Sequence, residues 1–205
     1  KSIGTKALAE TVQRLFPNHS LKRFDSDNVK GETVNDSYAD ILSGNVDILV
    51  GTQLLAKGLD LPKLGLVGIV AAETSLSLPD FTSEERTFQL LYQVAGRVGR
   101  GHTSGQVIVQ AHHPGSPIIR SAVARDYQAF YEKAIAERQA FRFPPYAYLL
   151  KLVCRKPSAA KADLVAGKLS DVLRGLASQK KMAVEIIGPM PSFYGRRGPL
   201  FYYQL

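Results

Sequence analysis

Apolar residues in the first 113 positions come in two alternating textures. Val46-Asp47-Ile48-Leu49-Val50, Leu66 to Ala72 and Val107-Ile108-Val109 are nearly continuous apolar runs of strand length, and Leu21 to Asp25 is a shorter one. Between them the apolar positions recur at helical spacing. Gly4-Thr5 opens a helix carrying Ala7, Leu8, Val12, Leu15 and Phe16, which Pro17-Asn18 stops. Glu32 to Leu42 reads as a second helix, closed by Ser43-Gly44, and Thr82 to about Val98 as a third. Apolar strands separated by helices predict an α/β fold on a parallel sheet covered on both faces.

The texture changes after Pro114. Asp126 to Phe141 reads as a charged amphipathic helix. Phe143-Pro144-Pro145-Tyr146 breaks it, because proline has no amide hydrogen and keeps its predecessor out of the helical region. Tyr146 to Arg155 alternates as a strand with Tyr148, Leu150, Leu152 and Cys154 on one side. Ser158 to Ser178 is a helix with Val165, Leu169, Val172, Leu173 and Leu176 along one stripe. Val184 to Ile187 and Leu200 to Leu205 read as further strands. The expected organisation is an α/β lobe over 1–113, a linker with a helix over 114–145, and a small α+β unit over 146–205. The last strand, Phe201-Tyr202-Tyr203-Gln204-Leu205, runs out with no cap after it, which points to a truncated domain.

Composition removes some classes. With 45% hydrophobic and 21% charged residues over 205 positions, the chain is ordinary globular material. No apolar run reaches the roughly 18 residues of a membrane span, and KSIGTKALAE has no signal-peptide core, so no membrane role is expected. The single cysteine, Cys154, allows neither an intrachain disulfide nor a cysteine-built zinc cage, and a reducing cytosol suits it. The net charge of +8 is unevenly placed: residues 1–113 hold 11 Lys/Arg against 12 Asp/Glu, and 114–205 hold 15 against 6. A basic second half suggests a polyanionic partner; the plainer reading is a solvated basic surface.

Two segments carry candidate chemistry. In Ile48-Leu49-Val50-Gly51-Thr52-Gln53, followed by Ala56-Lys57-Gly58-Leu59-Asp60, a strand runs into a Gly-Thr turn. Open α/β sheets bind ligands at such strand ends. Gly51 and Gly58 let amides approach phosphate oxygens, Thr52 and Gln53 offer hydrogen bonds, and Asp60 suits a ribose hydroxyl. Taken alone, Gly51-Thr52 is more simply a strand-to-loop turn. The second segment is Gln93-Val94-Ala95-Gly96-Arg97-Val98-Gly99-Arg100-Gly101. Arg97 and Arg100, three apart, share a helix face, and their planar forks suit the oxygens of a transferring phosphoryl group. An arginine pair on a solvated helix end is the alternative. Gly96 and Gly99 argue against it, because glycine within a helix costs about 1 kcal/mol relative to alanine.

Together, GTQLLAKGLD and QVAGRVGRG at this separation resemble motifs V and VI in the second RecA-like lobe of superfamily 2 helicases. VDILVGTQLLAKGLDLPKLGLVGIVAAE, LPDFTSEERTFQLLYQVAGRVGRG, GQVIVQAHHPGSPII, AERQAFRFPPY and GPMPSFYGRRGPLFYYQL extend the likeness along nearly the whole chain, to the PriA-type family of replication-restart helicases. The resemblance implies a bacterial, cytoplasmic 3′-to-5′ DNA helicase that hydrolyses ATP with Mg2+ between two RecA-like lobes. It implies action at stalled forks and D-loops, with branched and single-stranded DNA, single-strand-binding protein and primosome proteins as partners. By motif match, Gly51, Thr52 and Gln53 would couple ATP state to the DNA strand, Lys57, Gly58 and Asp60 would line the same region, and Gly96 and Gly99 would belong to the same coupling set. Gln93, Arg97 and Arg100 would face the ATP phosphates, one arginine acting as the finger. The α+β unit would be a small fork-binding domain.

The departures are large. There is no GxxxxGK[ST] loop and no acidic magnesium-binding strand, and one cysteine cannot form the family's zinc-binding insertion. The resemblance therefore implies roughly the last third of such a protein, beginning inside the second lobe and inactive alone. The alternatives are a branch-migration type of translocase and a non-catalytic nucleic-acid-binding adaptor. His112-His113 reads as loop surface rather than metal ligands, Glu84-Glu85 as acids suited to a helix start, and Asp25 and Asp27 as turn formers. No metal ligand is expected in this chain. In the tail, Arg196 and Arg197 are candidate DNA contacts, while Phe193, Tyr194, Phe201, Tyr202 and Tyr203 are expected in the core.

Overall fold

The computed structural model describes residues 4–24, 38–52, 61–96, 98 and 105–205. Two compact units divide between Glu137 and Arg138. The first holds α1 (Thr5–Leu15), β1 (Leu21–Phe24), α2 (Tyr38–Ser43), β2 (Ile48–Gly51), β3 (Leu66–Ile69), a 3₁₀ turn (Ala72–Ser75), α3 (Ser83–Ala95), β4 (Gln106–Val109), α4 (Pro117–Val123) and α5 (Tyr127–Ala140), at whose end the division falls. Strands β1 and β2 pair in parallel, with Phe24 opposite Gly51, and β3 pairs in parallel with β4. The parallel direction is as expected. Among the described residues, however, these strands form two separate pairs rather than one sheet.

Among the described residues, coverage on both faces is not found for β3 and β4. Val67, Ile69, Val107 and Val109 share a half-buried face, whereas Leu66, Gly68, Gln106 and Ile108 share an exposed one. Leu66 and Ile108 stand exposed on that second face beside Gly68 and Gln106, so the apolar run marks a strand without saying how many of its faces are covered. On α1, Leu8, Ala9 and Val12 turn inward and Leu15 and Phe16 stay exposed.

The core of this unit gathers Ala72, Phe88, Leu91, Ile118, Ile119, Ala122 and Phe130, with Ile69 and Val109 packed against it. Phe88 stacks on Phe130 with ring centres 4.0 Å apart and 7° between planes. Residues 114–137, expected as linker and helix, thus supply much of the first unit's core through α4 and α5.

The second unit holds β5 (Val153–Lys156), α6 (Ala159–Gln179), β6 (Met190–Arg197) and β7 (Leu200–Gln204), an antiparallel sheet in the order β5-β7-β6 with α6 packed on β5 and β7. Ser158 starts α6 by accepting the Lys161 amide at 3.3 Å. The stripe expected to be buried is displaced. Ala162, Ala166 and Ser170 are buried, Leu169 and Leu173 half-buried, and Val165, Val172 and Leu176 exposed. Small side chains let the helix axis approach the sheet, so the inward face is the small one.

Two strand expectations change. Val184 to Ile187 is not a strand: the Ile186 and Gly188 carbonyls accept from Arg174 Nη2 at 3.3 and 3.0 Å, a side chain replacing a strand partner. Of the predicted Tyr146–Arg155 strand only Val153 to Arg155 pairs fully, within β5, which runs one residue further to Lys156 and is extended by reciprocal backbone bonds between Leu152 and Leu205. Tyr148 and Leu150 are exposed.

Candidate functional site

Gly51 closes β2 half-buried, and Thr52 follows it exposed to solvent. A clamp holds the other end of the strand pair. Asp47 Oδ2 accepts the Ser20 amide and the Ser20 hydroxyl, both at 2.8 Å, and the Asp47 amide donates to Ser20 Oγ at 2.9 Å. The Ser20 amide, then its hydroxyl, hold the Asp47 carboxyl below the usual carboxylate range. A second clamp joins the 3₁₀ turn to the loop after β4: the His113 amide donates to Glu73 Oε1 at 2.7 Å, and that bond lowers the Glu73 pKa. His112 and His113 are exposed, as expected.

Helix α3 buries Thr87, Phe88, Leu91 and Val94 and turns Gln93 outward. It ends at Ala95, three residues short of the expected Val98. Gly96 caps it, with its amide donating to the Tyr92 carbonyl at 3.1 Å. Gly96 is therefore not a helix-interior glycine, and the helix cost argued for it does not apply. Its smallness answers a different neighbour. A Cβ there would lie 3.4 Å from Arg125 Nη2, and the Arg125 guanidinium sits 5.1 Å from the centre of the Tyr92 ring. Sequence reasoning missed Arg125, because only tertiary packing brings it beside QVAGRVGRG. Gln53, Lys57, Gly58, Asp60, Arg97, Gly99 and Arg100 lie outside the described residues.

Arg196 and Arg197 end β6 and are exposed, next to the Gly198-Pro199 turn into β7. The Arg197 guanidinium lies 4.6 Å from the Tyr194 ring centre. Arg196 lies 5.2 Å from that of Phe201 and donates from Nε to the Gly198 carbonyl at 3.1 Å. The aromatics divide: Phe201, Tyr202 and Tyr203 are half-buried, whereas Phe193 and Tyr194 are exposed rather than in the core. Cys154, opposite Tyr203, is half-buried.

The structural boundary sharpens the charge asymmetry. Residues 114–137 hold 3 Lys/Arg and 3 Asp/Glu, so the excess falls wholly in 138–205, with 12 against 3. Among the described residues no group of three or more His, Cys, Asp or Glu could hold a metal ion, and no helix is long and apolar enough to cross a membrane.

Exposed polar groups at the ends of β2 and α3, and a basic hairpin on a separate unit, are the surfaces comparison can classify. Residues 4–102 match the helicase conserved C-terminal domain. The replication restart protein PriA of Treponema pallidum is 37% identical over 91% of this chain and 28% of its own length. That of Haemophilus influenzae is 35% identical over 99% and 28%, and that of Bacillus subtilis 36% identical over 98% and 25%. The chain belongs to the PriA family of replication restart proteins. It spans little more than a quarter of the length of these relatives and matches their C-terminal part.

Proposed function

We propose that this chain is part of an ATP-dependent 3′-to-5′ DNA helicase that restarts replication at stalled forks and D-loops. The observation that carries the reading is the likeness to replication restart proteins over 91–99% of the chain, helicase-matched segment and basic hairpin alike. In this reading residues 1–113 are the second RecA-like lobe. Gly51, Thr52 and Gln53 couple the nucleotide state to the DNA strand, with Lys57, Gly58 and Asp60 lining the same region. Gln93, Arg97 and Arg100 face the phosphates of ATP bound with Mg2+. Among the described members of this set, Thr52 and Gln93 are exposed polar side chains at or near element ends, which fits one wall of a nucleotide cleft. The other wall needs the phosphate-cradling loop that this sequence lacks.

Arg196 and Arg197 contact DNA phosphates in the same reading, and the unit from Arg138 onward faces branched or single-stranded DNA. Single-strand-binding protein and primosome proteins are its proposed partners, and the bacterial cytoplasm its compartment. The test is strand displacement by the full-length protein on a forked substrate. ATP-dependent unwinding from the 3′ side is expected, with no DNA-stimulated phosphate release from this chain alone. Phosphate release that scales with this chain, or a full-length protein that binds forks without unwinding them, would overturn the reading.

A further inference from the structure

Side chains alternate along a strand, so of two neighbours such as Phe193 and Tyr194 one should turn inward. Both are exposed, Phe193 by 59% and Tyr194 by 50%. The cause is local. The β6–β7 pairing is regular at Met190 and Pro191 and again at Arg196 and Arg197, with a register shift between them. A bulge frees that stretch from alternation and re-aims its side chains. Among the described residues, strand β6 is also an edge of its sheet, and no further strand pairs with the outer side of the bulged stretch.

The two rings stand 4.8 Å apart at 72°, with Arg197 over Tyr194 and Arg196 beside the turn. Among the described residues neither arginine is in an ion pair, and the whole unit carries 12 Lys/Arg against 3 Asp/Glu. Two large aromatic side chains left in water forgo burial that would have stabilised the fold. A partner that covers them must also accept the surrounding positive charge. A neutral apolar protein face does not; a nucleic-acid strand offers aromatic faces and phosphates together.

The geometry points to a stacking site for unpaired bases of a single-stranded nucleic acid on Phe193 and Tyr194, with Arg196 and Arg197 taking the adjoining phosphates. This rests on the nucleic-acid reading above, and adds to it the ring-bearing residues and a preference for unpaired strands. In a duplex each base face is covered by its neighbours, so rings projecting from an edge strand find nothing to stack on. A single strand can turn a base onto either ring. Such stacking tolerates any sequence, because every base has a π face.

The experiment is fluorescence anisotropy on the 205-residue chain with a labelled oligothymidylate, an abasic strand of equal length and a duplex. The abasic strand keeps the phosphates and removes the bases. The intact strand should bind about 5-fold or more tightly than the abasic one, the lower end of one base stacked on an aromatic ring. Tyr194→Leu and Phe193→Leu, which keep apolar bulk, should weaken the intact strand alone and leave the salt dependence unchanged. Equal affinity of the unsubstituted chain for intact and abasic strands overturns the stacking site while leaving phosphate binding standing, and needs no variant to fold. Equal weakening of both strands by Tyr194→Leu overturns it as well. Absence of binding to any of the three probes overturns the nucleic-acid reading itself.

Discussion

Asp47 joins the residue before β1 to the residue before β2 through one carboxylate and one serine. Its pKa is lowered in the fold by hydrogen bonds from Ser20, first the amide and then the hydroxyl. The sign follows from proton linkage: a carboxyl with a depressed folded value stabilises the native state fully above its ordinary value of 3.8. That contribution disappears as pH falls below 3.8 through the lower folded value. Asp47→Asn should therefore lower the melting temperature at pH 7, and the gap from the unsubstituted chain should narrow as pH drops below 4. A gap that stays constant from pH 7 to 3 would show that the carboxylate charge does not matter. Arg196 and Arg197 give a second residue-scale test. If each neutralises one phosphate, replacing both with alanine should reduce the slope of log affinity against log salt by about 1.8 on duplex and about 1.4 on single strands. An unchanged slope in a folded double variant returns both arginines to plain surface. These arginines were legible in the sequence as a basic pair among glycines. The exposure of Phe193 and Tyr194 was not, because a bulge is a property of two strands and only one of them can be read at a time.

At the scale of elements, α3 and α5 meet through the Phe88–Phe130 stack and the Lys133 bridge to Glu84 at 3.1 Å. Burial works against the Lys133 ammonium, but the hydrogen bond it donates to Glu84, the Glu84 charge and Glu137 outweigh it and raise the pKa. The pair is substantially exposed, so its contribution is small beside that of the rings. Phe130→Ala should destabilise the chain by about 3–5 kcal/mol, the range for a buried phenylalanine truncated to alanine. Lys133→Met should cost under about 1 kcal/mol. Urea unfolding monitored by circular dichroism checks both, and a Phe130→Ala effect no larger than that of Lys133→Met would remove the stack from the core. Helices with a full apolar period, α1, α3 and α6, and the short runs of β2 and β4 were all readable. Helix α4 was not: its seven residues open on Pro117 just after Pro114 and Gly115, all strong turn signals, and Ile118, Ile119 and Ala122 gain meaning only against Phe88 and Leu91. Val184 to Ile187 differs in the opposite direction: its β-branched residues read as a strand, whereas in the fold Arg174 donates to the carbonyls of Ile186 and of Gly188 just beyond the segment.

For the whole molecule, the charge boundary and the fold boundary coincide at residue 138, which separates a nearly neutral helicase-matched unit from a strongly basic one. The proposed division of labour places the nucleotide response in the first unit, and its sharpest test is Arg100 in the full-length protein. Negative charge builds on the γ-phosphoryl oxygens as the bond to the leaving group loosens, and a planar guanidinium answers it best at that moment. Arginine fingers supply on the order of 10³–10⁵ in rate where they act alone. Arg97 stands three residues away and offers partial substitution, so Arg100→Ala should lower DNA-stimulated kcat by on the order of 10²-fold or more. KM for ATP should change far less, because an interaction that strengthens only in the transition state leaves ground-state binding nearly intact. Arg100→Lys should not restore turnover, since a point charge cannot reproduce two parallel N–H donors. Gly96→Ala supplies the contrast. It leaves both arginines in the sequence, and its Cβ would sit 3.4 Å from Arg125 Nη2, the movable end of a long side chain. It should therefore cost far less in kcat than Arg100→Ala. Steady-state kinetics on DNA, with thermal melts as the folding control, separates these outcomes. Near-normal kcat in both Arg100 variants would assign the finger to Arg97 alone or make QVAGRVGRG a structural segment, and a proportional rise in KM would make Arg100 a ground-state binding residue.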